Sequence, residues 1–391
     1  MYFLQLGSLS LAGTTSQDVC ILFLTLQVSK ELLINIIDEY KQLTLKAKID
    51  TVLHHPSILK DFLAGKSSQE LRDKIRELRR IKVENHYQKE VFEFIKQSKK
   101  SSSYQKNSTD EMKLNKLCCV EDWQIDELRR IIYELQKGEQ QGPRNDIHMR
   151  ERGLIHRKDW EWAMSVIAMR RYGKLNENST ALGVGVGKEI LLFYLANHLG
   201  HVFATDLYAG EWSKIWAPSD MIKNATKYAP FEYKESALTV MRMDSTKLEF
   251  SSETFDIAFS ISSIEHFGGN NHSGALQSLK EIERVLKRGG IAAVTTEYIL
   301  NDKEAPDLQN QFFNRKTIYS DLIDKLDELH LVEPLDLDIT PNTLDTVMEV
   351  GDGVKWDNNI FTNEYKKTHP LIVLRTRNIL LTSVMLVFQK R

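Results

Sequence analysis

Ala181-Leu182-Gly183-Val184-Gly185-Val186-Gly187-Lys188-Glu189 is the stretch on which the reading of this 391-residue chain turns. Thr180–Val186 has the short apolar texture of a buried strand, and helical spacing begins at Lys188. Strand before and helix after is the context that makes a glycine-rich string a ligand loop. Glycine permits a sharp turn and a close backbone approach because no Cβ intervenes. Free N–H groups at the start of the following helix would offer partial positive charge to a carboxylate or phosphate.

The spacing argues against two familiar loops. A nucleotide-triphosphate loop needs four residues between its glycine and Gly-Lys, then Ser or Thr for magnesium; here three separate Gly183 from Gly187, and Glu189 follows the lysine. A dinucleotide fingerprint reads G-x-G-x-x-G, whereas Gly183, Gly185 and Gly187 alternate, which weakens an NAD-dependent oxidoreductase acting on a nucleotide sugar without removing it.

Working outward, strand-like runs alternate with helical ones: His201–Leu207, Thr239–Met243, Asp256–Ser262, helix Gly274–Leu286, Ile291–Thr296 and helix Thr317–Leu329. Such alternation predicts right-handed βαβ units and a parallel sheet covered on both faces. Leu331–Ile339 and Ile379–Phe388 lack a crossover helix between them and read as an antiparallel edge hairpin. Asp206 ends the second strand, where a carboxylate can accept both ribose hydroxyls of an adenosine. Asp244 ends the third; it suits either the exocyclic amine of adenine or an Asx cap of the next turn.

The amino-terminal part differs. Leu33, Ile36, Ile37 and Tyr40, then Leu71, Ile75 and Leu78, then Leu128, Ile131, Ile132 and Leu135 recur at helical spacing, and Ser67 with Glu70 has capping-box spacing. The polar run Gln97–Ser108 reads as a flexible linker near 97–110, and Gly138, Gly142 and Pro143 mark a boundary near 146. The expected organisation is a mainly helical region over 1–146 and a catalytic domain over 147–391. A formal net charge of -2 gives no basic excess for nucleic acid. Three cysteines, two of them adjacent at Cys118 and Cys119, make neither a disulfide framework nor a metal site. The apolar run Val19–Leu26 is too short to span a bilayer and has no basic segment before it. The expectation is a cytoplasmic protein, with no metal, whose amino-terminal helices suit self-association.

Taken in order, Gly183–Glu189, Asp206, Asp244, Phe255-Asp256-Ile257-Ala258-Phe259-Ser260 and Val285-Leu286-Lys287-Arg288-Gly289-Gly290 resemble a class I S-adenosylmethionine-dependent methyltransferase from about Trp160 onward. Leu182–Glu189, Ala204–Tyr208 and Ser262–Gly268 are similar to methyltransferases of bacterial surface-glycan and natural-product gene clusters. The resemblance implies a Rossmann-like α/β sheet of seven strands, the last one antiparallel. It also implies S-adenosylmethionine as cofactor, with contacts at Gly183, Gly185, Gly187, Asp206, Leu207, Asp244, Ser245 and Ser262. The family loop carries an acid where Gly183 stands; Glu189 is the candidate to supply that charge.

Methyl transfer to a hydroxyl needs a proton acceptor. His266 is the first choice because its ordinary pKa lies near neutrality, with neighbouring Glu265 as substitute. Glu297, ending the next strand, is a candidate for holding a substrate hydroxyl or for a structural ion pair. Tyr208, Trp212, Trp216, Tyr228, Trp160 and Trp162 offer ring faces for a sulfonium or sugar, or ordinary packing. The long connection Thr340–Lys367 is the expected seat of acceptor specificity. The sequence thus points to O-methylation of a small polar acceptor such as a sugar or glycan precursor; a catalytically silent methyltransferase-fold binding protein is the non-enzyme alternative.

Overall fold

Alternating side chains on five apolar strands decide the layering. In β5 (Phe255–Ile261) Ile257, Phe259 and Ile261 join one hydrophobic cluster while Ala258 joins another. In β2 (Thr180–Val184) Ala181 points one way and Leu182 and Val184 the other. Period-two alternation with both faces apolar requires a cover on each side.

The computed structural model describes residues 73, 86, 89–100, 112–137, 155–268, 272–301, 311–349 and 370–391. The chain divides into two units, Met1–His86 and Tyr87–Arg391. Of the first, only Asp73 and His86 are described; the sheet and its covering helices belong to the second. The segments around Val19–Leu26, Leu33–Tyr40 and Ser67–Glu70, and most of the polar run after Lys100, lie outside the described residues. Gln97–Lys100, expected in the linker, are helical and continue a helix over 89–100.

The sheet runs β4-β3-β2-β5-β6-β10, with β3 (His201–Asp206), β4 (Leu238–Arg242), β6 (Leu286–Ile299) and β10 (Ile379–Lys390). Strands β2 to β6 are mutually parallel, β10 is antiparallel to β6, and β7 (Leu329–Leu331) pairs antiparallel with β10. These seven strands form the expected Rossmann-like arrangement with one antiparallel member. Short strands β1 (Lys116–Leu117), β8 (Met348–Glu349) and β9 (Leu374–Thr376) extend it.

Helices α1 (Asp126–Lys137), α2 (Arg157–Arg171) and α3 (Ile190–Ala196) supply Leu128, Ile131, Trp160, Met164, Leu191 and Leu195 to the cluster on one face. Helix α4 (Ser273–Val285) covers the other face with Leu279, Ile282 and Val285. Helix α2 is absent from the sequence reading. Twelve of its fifteen residues are buried, charged ones included, so it shows no amphipathic stripe.

Two expectations at the carboxyl end need correction. The stretch Thr317–Leu329 is not one helix; it breaks after Lys325, where the buried Glu283 carboxylate takes the N–H groups of Glu328 and Leu329. The strand expected over Leu331–Ile339 is confined to Leu329–Leu331, because Pro334 lacks a donor and Asp336 pairs instead with Asn115 and Leu117. The tight hairpin is β9 with β10. Of the long connection, residues 350–369, Trp356 among them, lie outside the described residues. Among the described residues no helix is long and apolar enough to cross a membrane.

Candidate functional site

Strand β2 ends at Val184, and the chain turns through Gly185 (φ +65°) and Gly187 (φ +44°), both left-handed. A Cβ on Gly185 would stand 2.5 Å from Phe267 Cζ, and one on Gly187 2.4 Å from the Trp216 carbonyl oxygen. Glycine is therefore required by conformation and by approach. The N–H groups of residues 185 to 189, which precede the helix starting at Ile190, are engaged within the protein. Gly185 and Val186 donate to Thr205 O (2.8 and 3.3 Å), Lys188 to Trp216 O (3.1 Å), Glu189 to Val186 O (3.0 Å) and Gly187 to Asp206 Oδ2 (2.9 Å). Buried amides must find partners, and here the neighbouring strand end and the segment after β3 provide them.

Asp206 closes β3 beside this turn. Its second oxygen accepts from Tyr208 N at 3.2 Å, and burial pushes its pKa up. A carboxylate has about four acceptor positions; the backbone amides of Gly187, Tyr208 and Leu207 engage three of them, which leaves room for a ribose hydroxyl. Leu207 follows it, 55% exposed. Tyr208 is buried with φ +47°, and its hydroxyl donates to Gly187 O at 3.1 Å. Asp244 forms the Asx turn, accepting from Thr246 N (2.8 Å) and Thr246 Oγ1 (2.7 Å), with Ser245 inside that turn. Gly183 sits within β2, its carbonyl accepting from Thr205 Oγ1 at 2.8 Å.

A network of charged groups radiates from α2 across the carboxyl ends of the strands. Arg157 grips Glu297 through both guanidinium nitrogens, each at 2.6 Å, and donates to Ser383 Oγ at 3.0 Å. Lys158 Nζ lies 3.1 Å from Glu161 Oε2 and 3.4 Å from Glu189 Oε1. The Trp162 indole donates to Glu189 Oε2 at 2.5 Å. Glu161 also accepts from Ser262 Oγ at 2.9 Å and from Ser383. Burial works against the Lys158 charge, but Glu161 and Glu189 hold its pKa up; burial would raise Glu161, but Lys158 and Arg157 hold it down.

Ser262, at the tip of β5, has φ +45°, an uncommon backbone for a serine. Its N–H donates to the Thr295 carbonyl and hydroxyl, each at 3.0 Å. Three residues on, Glu265 is buried, and Oε2 accepts from Thr296 Oγ1 at 2.8 Å. Glu265 Oε1 has no hydrogen-bond partner among the described residues. Burial, reinforced by the Glu297 carboxylate, pushes Glu265 up to about 8. His266 goes the other way, to about 4, through burial and then the nearby Lys158 charge.

Tertiary structure thus gathers Glu189, Ser262, Glu265 and Glu297 around α2, whose Arg157, Lys158 and Glu161 sequence reasoning passed over. Their only signal was four charged residues, at 157, 158, 159 and 161, interleaved with Trp160 and Trp162 ahead of the glycine turn. Of the aromatic candidates, Trp160 is wholly buried and donates to Asp122 Oδ2 at 2.8 Å, while Tyr228 bonds Asp220; the Trp212 side chain lies outside the description. Cys118 and Cys119 are free and buried. No group of three or more His, Cys, Asp or Glu among the described residues could hold a metal ion.

Residues 182–294, from β2 through most of β6, match the family model described as methyltransferase domain. The match covers less than a third of the chain and likens that span to methyltransferase domains. Helix α2 and strand β10 lie outside the matched span. Among solved structures the chain is similar to a SAM-dependent methyltransferase from Aquifex aeolicus, at 17% identity and TM-score 0.32, covering 57% of this chain and 88% of that one. It is similar to phosphoethanolamine N-methyltransferase 2 of Haemonchus contortus, solved with S-adenosyl-L-methionine, at 16% identity and TM-score 0.36 over 59% of this chain and 52% of that one. It is likewise similar to the [4+2]-cyclase SpnF, at 15% identity and TM-score 0.37 over 68% and 94% of the two chains. No curated protein matches the chain.

Proposed function

We propose that this protein is an S-adenosylmethionine-dependent methyltransferase acting on a small polar acceptor, for which a hydroxyl of a sugar or glycan precursor is the sequence-based expectation. The observation that carries the reading is the left-handed glycine turn at Gly185 and Gly187 locked to Asp206 at the tip of the adjoining strand, inside the matched methyltransferase span. The residues fit the cofactor: Asp206 retains an acceptor position for a ribose hydroxyl, and exposed Leu207 lies beside it as an apolar surface. The bound cofactor supplies a methyl group on a positively charged sulfur.

The chain's own part is to position and to move a proton. Alignment of nucleophile and methyl group can contribute up to about 7–11 kcal/mol. Ser262 and Glu265 follow β5, next to the glycine turn, since Ser263 Oγ donates to Gly185 O at 2.7 Å. Between the two adjacent candidates for the base, His266 at about 4 binds protons weakly. Glu265 at about 8, with one oxygen unpartnered, is better matched to neutral operation. Glu297, held bidentately by Arg157, supports this site through its charge on Glu265.

Titration calorimetry with S-adenosylmethionine and NAD tests the proposal. Heat with the first and none with the second is expected; the reverse would make the NAD-dependent reading correct. Cofactor binding with no release of S-adenosylhomocysteine on any acceptor of a sugar and metabolite panel would favour the silent binding protein.

A further inference from the structure

We infer that the methyl acceptor is a primary amine, which Glu265 receives as an ammonium ion and whose nitrogen takes the methyl group. The inference rests on the methyltransferase reading above and replaces the hydroxyl of the sequence-based expectation with nitrogen.

The first reason is the company Glu265 keeps. Its side chain is buried, yet among the described residues it meets only neutral donors, Thr296 Oγ1 at 2.8 Å and its own backbone N–H. Oε1 is left without a hydrogen-bond partner. The other carboxylates of the cluster are provided for: Glu297 by Arg157, Glu161 by Lys158, Ser262 and Ser383, and Glu189 by Trp162 and Lys158. Glu265 faces the charges of Glu297 and Glu161 and has no ion pair of its own among the described residues.

The second reason is place. The short turn Ile264–His266 that carries Glu265 is pinned to the glycine turn on both sides. Before it, Ser263 Oγ donates to Gly185 O at 2.7 Å; after it, the Phe267 ring packs on Gly185. Its neighbours Ser262, Ser263 and His266 are half-buried, so a group that reaches Oε1 has to be small.

The third reason is chemical. Burial and Glu297 hold the carboxyl in its acid form near neutrality, and that form donates a hydrogen bond where a base has to accept a proton. A hydroxyl brings no charge to change this, and an anion is repelled by Glu297 and Glu161. An ammonium ion supplies the missing cation, ionises Glu265 by pairing with it and fills the vacant position on Oε1. Transfer of one proton to Glu265 then breaks an N–H bond, forms an O–H bond and leaves a lone pair on nitrogen. As nitrogen bonds to the methyl carbon, the carbon–sulfur bond breaks and its electron pair stays on sulfur. The positive charge passes from sulfur to the N-methylammonium product.

Propylamine and 1-propanol, nearly equal in shape, isolate the charge. Calorimetric titration into the S-adenosylhomocysteine complex at neutral pH is expected to show the amine binding at least about tenfold more tightly than the alcohol, as one charge-assisted bond implies. Glu265→Gln should abolish that preference with S-adenosylhomocysteine affinity unchanged. Infrared difference spectra of the wild-type complex should lose a carboxylic acid absorption when the amine is added and keep it with the alcohol; this measurement decides the matter if Glu265→Gln does not fold. In turnover, any acceptor of the panel that is methylated should carry the methyl group on nitrogen. Equal binding of the two probes, no binding of the amine, a preference that survives in Glu265→Gln, an unchanged acid absorption or a methyl ether product overturns the inference, and the methyltransferase reading stands as long as S-adenosylhomocysteine binds. If S-adenosylhomocysteine does not bind the wild-type protein, that reading itself fails.

Discussion

Replacing Glu265 with glutamine removes one titrating group while keeping its shape. In the folded protein this carboxyl titrates at about 8 instead of its ordinary 4.5, because it is buried and faces Glu297. Between those two values the folded state holds a proton that the unfolded chain has released. The stability this provides is fully present below the unfolded value and is lost as pH rises through the folded one. At about 1.4 kcal/mol per pH unit, the gap corresponds to a loss of up to about 5 kcal/mol. Glutamine carries no such dependence. Urea unfolding of both proteins, followed by tryptophan fluorescence at steps from acid to mildly alkaline pH, isolates Glu265, since every other titration is common to the two. The wild-type stability relative to Glu265→Gln should fall steadily above about pH 5. Parallel curves across the whole range would refute the upward shift of Glu265 by burial, and with it the choice of Glu265 over His266 as base.

Other perturbations draw on the same geometry. Arg157→Met should destabilise the fold by about 3–5 kcal/mol, since it leaves the buried Glu297 uncompensated; adding Glu297→Gln should restore much of the loss in chemical denaturation. Gly187→Ala should lower the melting temperature through about 1–3 kcal/mol of backbone strain, with the further clash against the Trp216 carbonyl; a thermal scan reads it directly. Asp206→Ala should weaken S-adenosylmethionine binding at least about tenfold in calorimetry, through loss of charged hydrogen bonds. His266→Gln should leave the pH dependence of turnover unmoved; a shifted limb would return the proton to histidine.

Much of the architecture was legible because it rests on local repeats. Strands β2 to β6 coincide with the apolar runs within a few residues, since a strand buried on both faces has to be apolar throughout. The departures from expectation came where a distant group intervened. The helix expected to reach Leu329 is cut by Glu283, forty-odd residues earlier in the chain, and the strand expected after Leu331 is diverted to Asn115 and Leu117.

The candidate site divides in the same way. Gly185, Gly187 and Asp206 could be read from spacing, because a tight turn demands glycine and a strand tip presents its last side chain. What the linear order alone determined is therefore the sheet, the position of the turn and the acid beside it. Only the tertiary structure decided that the turn's amides are closed by Thr205, Asp206 and Trp216, that Glu297 belongs to Arg157, and that Glu265 and His266 part from their ordinary pKa values in opposite directions. The reason is that hydrogen-bond closure and desolvation depend on neighbours brought in from α2, β6 and β10, and one-dimensional spacing carries no record of who those neighbours are.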